Sequence, residues 1–306
     1  MIAAGLQIGY ANYQTETEIL DNAGIKFLHY EHVDDIQNHA DISAIMVRQY
    51  PVDGSLMDRF PNLKIIQRYG VGVDNVDLNA AKARNIKVCN TPDYGQYHEV
   101  SDHALALYLA LARRITTRDV DVKSGRWGID QAEPIFGHRG ATLGLIGFGK
   151  IAQGVWQRFK SLGFDKCLIS DPAISENQAI AAGVQIASHD EIFAQSDVLS
   201  LHCPLLASTH HVIDHKALDT MKSSAYLINV SRGGLIDEDA LAEALGEGRI
   251  AGAAMDVFEQ EPADTTHPLF KAPNTVLTDH VAWYSEQSVI ALQTAAAKEV
   301  ARVLSQ

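Results

Sequence analysis

The sequence is poor in cysteine and has no long apolar segment. Its 306 residues include three cysteines, Cys89, Cys167 and Cys203, which are isolated from one another and odd in number. They have neither the spacing of metal ligands nor that of a disulfide framework, so we expect no bound metal and a reducing compartment, the cytoplasm. No stretch approaches the length of a membrane-spanning helix. The N-terminus lacks the basic flank of a signal peptide, so no export signal is predicted.

Positive charge is also scarce. The chain has 25 Lys and Arg against 38 Asp and Glu, which gives a net charge of −13, and the acidic residues are dispersed. A chain without a basic patch is a poor candidate for binding nucleic acid or an anionic membrane, so we expect neither partner. Apolar residues make up 46% of the sequence, as in ordinary globular proteins. The length favours two domains, each with its own core.

Short apolar strands alternate with helical segments along most of the chain. This alternation predicts parallel sheets with helices on both faces, the α/β class. Before Tyr97 we predict helices at Glu16–Asn22 and Val76–Arg84, and strands at Leu6–Gly9, Ile25–Tyr30, Ser43–Val47, Leu63–Gln67 and Ile86–Cys89. After Asp171 we predict strands at Val198–His202, Ala225–Val230, Ala251–Val257 and Thr275–Thr278, a helix at Glu238–Leu245 with Asp237 as its N-cap, and a final helix at Ser288–Leu304.

One long helix is predicted from Glu99 to Arg118. Its segment Ala104–Ala112 is apolar on nearly all sides, which requires burial on more than one face. The helix could cross between domains, line a subunit interface, or form the central core of one domain. A loop-rich passage is predicted to follow it at Ser124–Gly140.

The segment Ala141–Pro172 has the pattern of a dinucleotide-binding unit. An apolar strand, Leu143–Ile146, leads into Gly147-Phe148-Gly149-Lys150-Ile151-Ala152 and a helix that Gly163 ends. A second strand, Cys167–Ile169, leads to Asp171, which lies 24 residues after Gly147. The glycines permit a tight turn and a close approach to a pyrophosphate at the helix N-terminus, and the acid suits the ribose hydroxyls. A purely structural turn is the alternative.

Three polar residues follow predicted strands of the second sheet. Arg232, Glu261 and His280 each come just beyond a strand. Carboxyl ends of parallel strands share one edge of a sheet, so we expect these side chains to converge beside the cofactor turn. An imidazole can donate a proton near neutral pH, a carboxylate can orient and stabilise it, and an arginine can bind a carboxylate. Separately, each residue could instead have only a structural role.

A further candidate site follows the fourth predicted strand. Arg68-Tyr69-Gly70-Val71-Gly72-Val73-Asp74 begins where that strand ends. Its glycines let backbone N–H groups face an anion, and Arg68 could pair with a carboxylate. A structural turn with a surface arginine explains the pattern equally well.

Several segments together resemble the D-isomer-specific 2-hydroxyacid dehydrogenase family. The resemblance covers nearly the whole chain in the family's order, through Arg68–Asn75, Leu201–Leu205, Arg232–Leu241 and Ala253–Pro262. Within the family, His280–Gln287 is similar to the C-terminal-binding-protein branch. Asp279 stands where the family usually has proline. Since this adds a carboxylate next to His280, we expect the activity profile to move upward in pH.

The resemblance implies a role for each site residue. Arg232 would bind the substrate carboxylate and carbonyl, His280 would donate the proton, and Glu261 would orient His280. Arg68, Val71 and Gly72 would complete the carboxylate site, and Trp283 would wall the side-chain pocket. The implied contacts to NAD are Gly147, Phe148, Gly149, Lys150 and Ile151 at the pyrophosphate, Asp171 at the ribose, Asp256 at the nicotinamide carboxamide, and Val100, Cys203, Pro204 and Val230 along the cofactor.

The resemblance also implies an architecture. A flavodoxin-like substrate domain would comprise residues 1–98 and 282–306, and a Rossmann NAD-binding domain, residues 99–281, would be inserted into it. Family members are usually homodimers, here through residues 99–118 and the cofactor domain.

The implied function is hydride transfer between NAD and a 2-oxo acid or D-2-hydroxy acid. NAD is expected rather than NADP because the Asp171 charge would repel a 2′-phosphate. Two alternatives stay open. The protein could be an NAD-responsive interaction protein of the corepressor type, or a dehydrogenase of another small anion such as phosphite. The sequence does not identify the substrate.

Overall fold

The computed structural model describes residues 1–128 and 135–306. The chain divides into two compact units, which are Met1–Gln96 with Tyr284–Gln306, and Tyr97–Trp283. Part of the predicted loop passage, residues 129–134, lies outside the described residues. Among the described residues, no helix combines the length and the apolarity needed to cross a membrane.

The strands and helices alternate along both units, as the sequence predicts. The chain begins with β1 Ile2–Leu6, α1 Gln14–Asn22, β2 Lys26–Tyr30, β3 Ile42–Val47, α2 Gly54–Asp58, β4 Ile65–Arg68, α3 Leu78–Ala83, β5 Lys87–Cys89, α4 Tyr97–Ala112 and α5 Ile115–Lys123. It continues with β6 Thr142–Ile146, α6 Lys150–Ser161, β7 Lys166–Ser170, α7 Glu176–Ala182, β8 Gln185–Ile186, α8 His189–Gln195, β9 Val198–Leu201, α9 His215–Thr220, β10 Tyr226–Asn229, α10 Glu238–Gly246, β11 Gly252–Met255, β12 Thr275–Leu277 and α11 Glu286–Leu304.

The first unit is built on a five-stranded parallel sheet. Its order is β2-β1-β3-β4-β5, which is the flavodoxin-like arrangement. The C-terminal helix α11 packs against α1 and β4. A buried polar contact joins these elements, because Glu16 on α1 accepts hydrogen bonds from Tyr69 at 2.9 Å and from Gln293 on α11 at 3.0 Å. The last helix of the chain therefore belongs to the core of the first unit.

The second unit is built on a seven-stranded parallel sheet of order β12-β11-β10-β9-β6-β7-β8. The strand order reverses between β6 and β9, which lie side by side. This is the doubly wound Rossmann arrangement, in which ligands bind beyond the strand carboxyl ends at the point of reversal. The predicted two-sheet α/β fold is confirmed.

The two faces of the second sheet have separate apolar cores. On one face α4 and α6 bury Leu107, Tyr108 and Phe159 against the strands. On the other face α8, α9 and α10 bury Leu218 and Leu241. The apolar helix α4 therefore has a core role within one unit, which was one of the three alternatives for it.

The first predicted strand was wrong in its position. We predicted Leu6–Gly9, whereas β1 is Ile2–Leu6 and Gln7 ends it with a φ of 45°. The true strand is rich in small residues with weak strand propensity. At Gly5 a Cβ would lie 2.5 Å from Cδ1 of Ile8 and 2.9 Å from the Phe27 ring, so a larger residue would force these side chains to shift. Packing between neighbouring strands decides this position, and the local sequence gives no sign of it.

The predicted helix Glu99–Arg118 was also wrong, because the structure divides it into α4 and α5. The break lies at Arg114, whose φ of 54° is left-handed and cannot continue a helix. The short elements α2, α7, α8, α9 and β8 were not predicted. The predicted N-cap is confirmed, since the Asp237 carboxylate accepts a hydrogen bond from the Ala240 N–H at 3.0 Å.

Candidate active site

The glycine turn between β6 and α6 lies at the reversal of strand order. Gly147 has a φ of 89°, which other residues rarely adopt. A Cβ at this position would lie 2.6 Å from the carbonyl oxygen of His202, just beyond β9. Gly147 is therefore required both by its backbone conformation and by the close approach of the neighbouring strand.

The N-terminus of α6 is suited to an anion. Its N-cap is Gly149, which offers no capping side chain, and a Cβ there would meet no atom within 4 Å. The first N–H groups of a helix carry partial positive charge, so an uncapped and open terminus can bind a pyrophosphate. Lys150 is exposed beside it, and Ile151 is half-buried. These features fit the predicted dinucleotide.

Asp171 follows β7 and contacts the same turn. Its Oδ2 accepts a hydrogen bond from the Phe148 N–H at 2.7 Å, and its Oδ1 accepts one from the Ala173 N–H at 2.8 Å. The Phe148 amide is bonded to Asp171 and its side chain is buried in the core, and its predicted contact to the pyrophosphate stays a prediction. The carboxylate is half-buried and can accept further hydrogen bonds from ribose hydroxyls.

Asp256, beyond β11, is a buried carboxylate with several hydrogen bonds. Its oxygens accept from the Val281 N–H at 3.0 Å, the Ala282 N–H at 2.9 Å and the Thr278 hydroxyl at 2.6 Å. Since Thr278 donates its hydrogen to Asp256, Nε2 of His103 on α4 donates to Thr278, at 3.0 Å. Asp256 therefore holds the segment that contains His280. Its predicted contact to the nicotinamide stays a prediction.

His280 is held in an uncommon backbone conformation. Its φ is 58°, in the left-handed region. Its N–H donates to the Asp256 carbonyl at 2.7 Å, and its carbonyl accepts from the Trp283 indole at 3.0 Å. The preceding residue, Asp279, is exposed, and its effect on the pH profile stays a prediction.

The imidazole of His280 contacts Glu261. Nδ1 of His280 lies 2.6 Å from Oε2 of Glu261, and Oε1 of Glu261 accepts from the Phe258 N–H at 3.1 Å. Burial raises the pKa of Glu261, but the hydrogen bond and charge of His280, the Phe258 amide and the charge of Arg232 lower it by more. Glu261 is thus a carboxylate that accepts the Nδ1 proton, which leaves Nε2 of His280 for proton transfer.

Arg232 lies in a turn that a buried asparagine fixes. Asn229, at the end of β10, donates through Nδ2 to the Arg232 carbonyl at 2.8 Å and accepts from the Ser231 N–H at 3.0 Å. The guanidinium of Arg232 donates to the Ser231 carbonyl at 2.7 Å. Its charge is close enough to Glu261 to lower the pKa of that carboxyl. The structure therefore brings together the three residues predicted to be catalytic.

Gly233 brings the arginine turn against the segment of Glu261. A Cβ on Gly233 would collide with the backbone of Phe258 and Glu259. Only glycine permits this contact between two backbones. The spacing between Arg232 and Glu261 is therefore set by backbone packing.

The remaining predicted cofactor residues lie in the same unit. Val100, Cys203 and Val230 are buried, and Pro204 is exposed. Burial raises the pKa of Cys203 to about 11, so its thiol stays protonated near neutral pH. These apolar positions are compatible with the lining of a cofactor site, and their contacts to NAD stay predictions.

The other predicted substrate residues belong to the first unit. Arg68 ends β4, and its side chain lies against Gly70, whose φ is 117°. Val71 is exposed, and its carbonyl accepts from Asn90 at 2.5 Å. Gly72 is half-buried. Their part in a carboxylate site stays a prediction, as does that of Trp283.

Four residues that support the site were not predicted. They are the buried or half-buried His103, Asn229, Gly233 and Thr278. Asn229 and Thr278 could have been noticed as polar residues at the ends of apolar strands. His103 had no such signal, because its contact spans 175 residues of sequence.

Known proteins match both the sequence and the fold. A family model for the NAD binding domain of D-isomer specific 2-hydroxyacid dehydrogenases matches residues 105–282. A D-3-phosphoglycerate dehydrogenase of Archaeoglobus fulgidus is 41% identical over 242 residues, which is 78% of this chain but 45% of that protein. A glyoxylate reductase of Thermococcus litoralis is 42% identical over 236 residues, 75% of this chain and 70% of that protein. The chain thus spans about half the length of the first of these relatives.

A solved structure shares both units. The crystal structure of D-lactate dehydrogenase from Aquifex aeolicus, complexed with NAD and lactic acid, superposes with a TM-score of 0.87 at 27% identity. The match covers 97% of this chain and 94% of that one.

We expect Gly233→Ala to destabilise the protein by about 3 kcal/mol, since overpacking against rigid backbone is costly. Thermal unfolding would measure the effect. Gly246→Ala is the matched control, because a Cβ there meets no atom within 4 Å and alanine favours the helix. Equal melting temperatures for the two variants would contradict the packing argument.

We also expect an acid sensitivity that depends on His202. Burial lowers the pKa of His202 to about 3, so the folded chain keeps this imidazole neutral. The unfolded chain takes up the proton below its ordinary pKa of about 6.5, so stability is lost as the pH falls from that value toward 3. This lowers the free energy of unfolding at pH 5 by at most about 2 kcal/mol relative to pH 8. Urea unfolding at pH 5 and pH 8 measures the difference in the free energy of unfolding between the two pH values. His202→Gln should reduce this difference, whereas the exposed control His215→Gln should not.

Proposed function

The chain belongs to the D-isomer specific 2-hydroxyacid dehydrogenase family, and from this premise we propose that it reduces a small 2-oxo acid to the D-2-hydroxy acid with NADH. The observation that carries the proposal is the 2.6 Å contact between His280 and Glu261, with Arg232 beside it. The comparisons confirm the family, the NAD cofactor and the 2-hydroxyacid dehydrogenase class that the sequence predicts.

The proposed roles follow from charge and hydrogen-bond geometry. Arg232 binds the substrate carboxylate and polarises the carbonyl, since a guanidinium can donate two parallel hydrogen bonds to one anion. Nε2 of His280 donates the proton that the carbonyl oxygen takes up on reduction. Glu261 accepts the Nδ1 proton at 2.6 Å, which fixes the ring and stabilises its protonated form. When bound, NADH supplies the hydride.

The proposed cofactor preference is NAD over NADP. Support comes from Asp171, whose carboxylate follows β7 and contacts the glycine turn at 2.7 Å. A negative charge at this position accepts ribose hydroxyls and repels a 2′-phosphate. Pro172 and Ala173 follow it, and neither can neutralise a phosphate.

The proposed assembly is a homodimer through the second unit. On α5 the apolar side chains of Ile115, Val120 and Val122 are each more than half exposed, and Trp127 is 90% exposed. An apolar surface of this kind supports contact with a second copy. We place the protein in the cytoplasm because its three cysteines are free thiols.

The test is the oxidation of NADH by purified protein with glyoxylate, pyruvate and hydroxypyruvate. We expect turnover with at least one of them, a D-configured product from any pyruvate or hydroxypyruvate that is reduced, and kcat/KM at least tenfold higher with NADH than with NADPH. Tight NADH binding without any turnover would instead favour the NAD-responsive interaction protein. Turnover with phosphite and NAD, but with none of the 2-oxo acids, would favour a dehydrogenase of another small anion.

Glu261→Gln should lower kcat about 100-fold, within the range that general acid–base catalysis contributes. Without the carboxylate the protonated ring loses its charge partner, so activity in the reductive direction should decline at a lower pH than in wild type. The exposed Asp264→Asn is the control in the same loop. An unchanged pH–rate profile for Glu261→Gln would argue against its proposed role.

A further inference from the structure

A second cluster of titratable side chains lies outside the residues proposed for catalysis. It consists of His210, His211 and Glu259, and we call it the His–His–Glu cluster. One ligand atom from each residue lies within 4.8 Å of the other two. We infer that the His–His–Glu cluster binds a zinc ion or a similar transition metal. The cysteines, on which the expectation of no metal rested, take no part in it.

The distances in the cluster suit a tetrahedral ion. Nε2 of His210 lies 3.3 Å from Oε1 of Glu259, and Nε2 of His211 lies 3.5 Å from Oε2 of the same carboxylate. Ligand atoms about 2.1 Å from a tetrahedral zinc stand about 3.4 Å apart. The spacings between the ligand atoms match this value, and the stacked rings would have to turn out of their near-parallel arrangement for both Nε2 atoms to face one ion.

The backbone brings the two imidazoles together. His211 has a left-handed φ of 50°, and the rings stack with centroids 3.8 Å apart, which brings both Nε2 atoms to Glu259. The His210 N–H donates to the Leu206 carbonyl at 2.8 Å, and the His211 N–H donates to the Gly234 carbonyl at 2.9 Å. Adjacent residues in extended backbone would point to opposite sides.

The His211 ring has a buried nitrogen that needs a partner. Its Nε2 is inaccessible to solvent and makes no hydrogen bond within the described part of the chain. A buried polar atom of this kind is costly unless a hydrogen bond or a metal satisfies it. Glu259 and His210 are each 48% exposed, so water could complete the coordination. This nitrogen lies 3.5 Å from Oε2 of Glu259, which is too long for a good hydrogen bond but suits two ligands of one ion.

The chemistry of the ligands indicates the class of ion. Two imidazoles and one carboxylate suit zinc, copper and nickel, whereas magnesium and calcium prefer ligand sets made only of oxygen. Zinc binds such sets at four-coordinate sites without redox change.

The ion would join two loops that support the catalytic residues. His211 is bonded to Gly234, which follows Arg232 by two residues, and Glu259 precedes Glu261 by two. The Glu259 N–H also donates to the buried Glu238 at 2.9 Å, so this backbone is already anchored. A bound ion would add a side-chain link between the loops, and we expect it to stabilise the fold.

The experiment is equilibrium dialysis of the full chain, first treated with a chelator, against ZnCl₂ with MgCl₂ as the control ion. We expect one zinc per chain and no magnesium. His210→Gln with His211→Gln should weaken zinc binding at least about tenfold, and Glu259→Gln, at an exposed side chain, should do the same. His215→Gln, at an exposed histidine outside the cluster, should bind zinc as the wild type does. Zinc at about 100 times the wild-type Kd should raise the melting temperature by roughly 5 °C in the wild type and in His215→Gln, and by clearly less in the cluster variants.

Two outcomes would overturn the inference. One is the absence of stoichiometric zinc binding to the wild type. The other is binding that persists in the double histidine variant but is lost in Glu261→Gln, which would place the ion at His280 instead. Melting curves without metal show whether each variant is folded. If the double histidine variant does not fold, Glu259→Gln still tests the site.

Discussion

The buried carboxylate of Asp256 is the constraint on which the candidate site depends. A buried charge is costly unless hydrogen bonds satisfy it, and here the donors are the N–H groups of Val281 and Ala282 and the hydroxyl of Thr278. Satisfying the carboxylate forces the chain to turn around it. His280 lies within that turn with a left-handed backbone, and its imidazole is thereby directed to Glu261. The hydrogen bonds of one buried carboxylate thus fix the position of His280.

Close approaches between backbones provide the rest of the geometry. Gly147 allows the β6 turn to touch the end of β9, and Gly233 allows the arginine turn to touch the segment of Glu261. Both contacts leave no room for a Cβ. The site therefore depends on glycines at two points where loops from different strands meet, as well as on the residues that take part in chemistry.

The His–His–Glu cluster and the residues proposed for catalysis share this framework. Gly234 accepts the backbone hydrogen bond of His211, and Glu259 belongs to the segment that Gly233 contacts. An ion at the cluster would link the same two loops that carry Arg232 and Glu261.

The sequence by itself determined the α/β class, most strands and the candidate site residues. Strand periodicity and the glycine turn with Asp171 are local patterns, and the position of polar residues after strands follows from the parallel sheet. The tertiary structure decided what has no local signal. The packing of Gly5 in β1 against Ile8 and Phe27, and the left-handed backbone of Arg114 that breaks the predicted helix, have no sign in the local sequence. The roles of His103 and the His–His–Glu cluster depend on contacts between residues far apart in sequence. Such contacts form only when the whole unit folds, because side chains at long separation meet through packing.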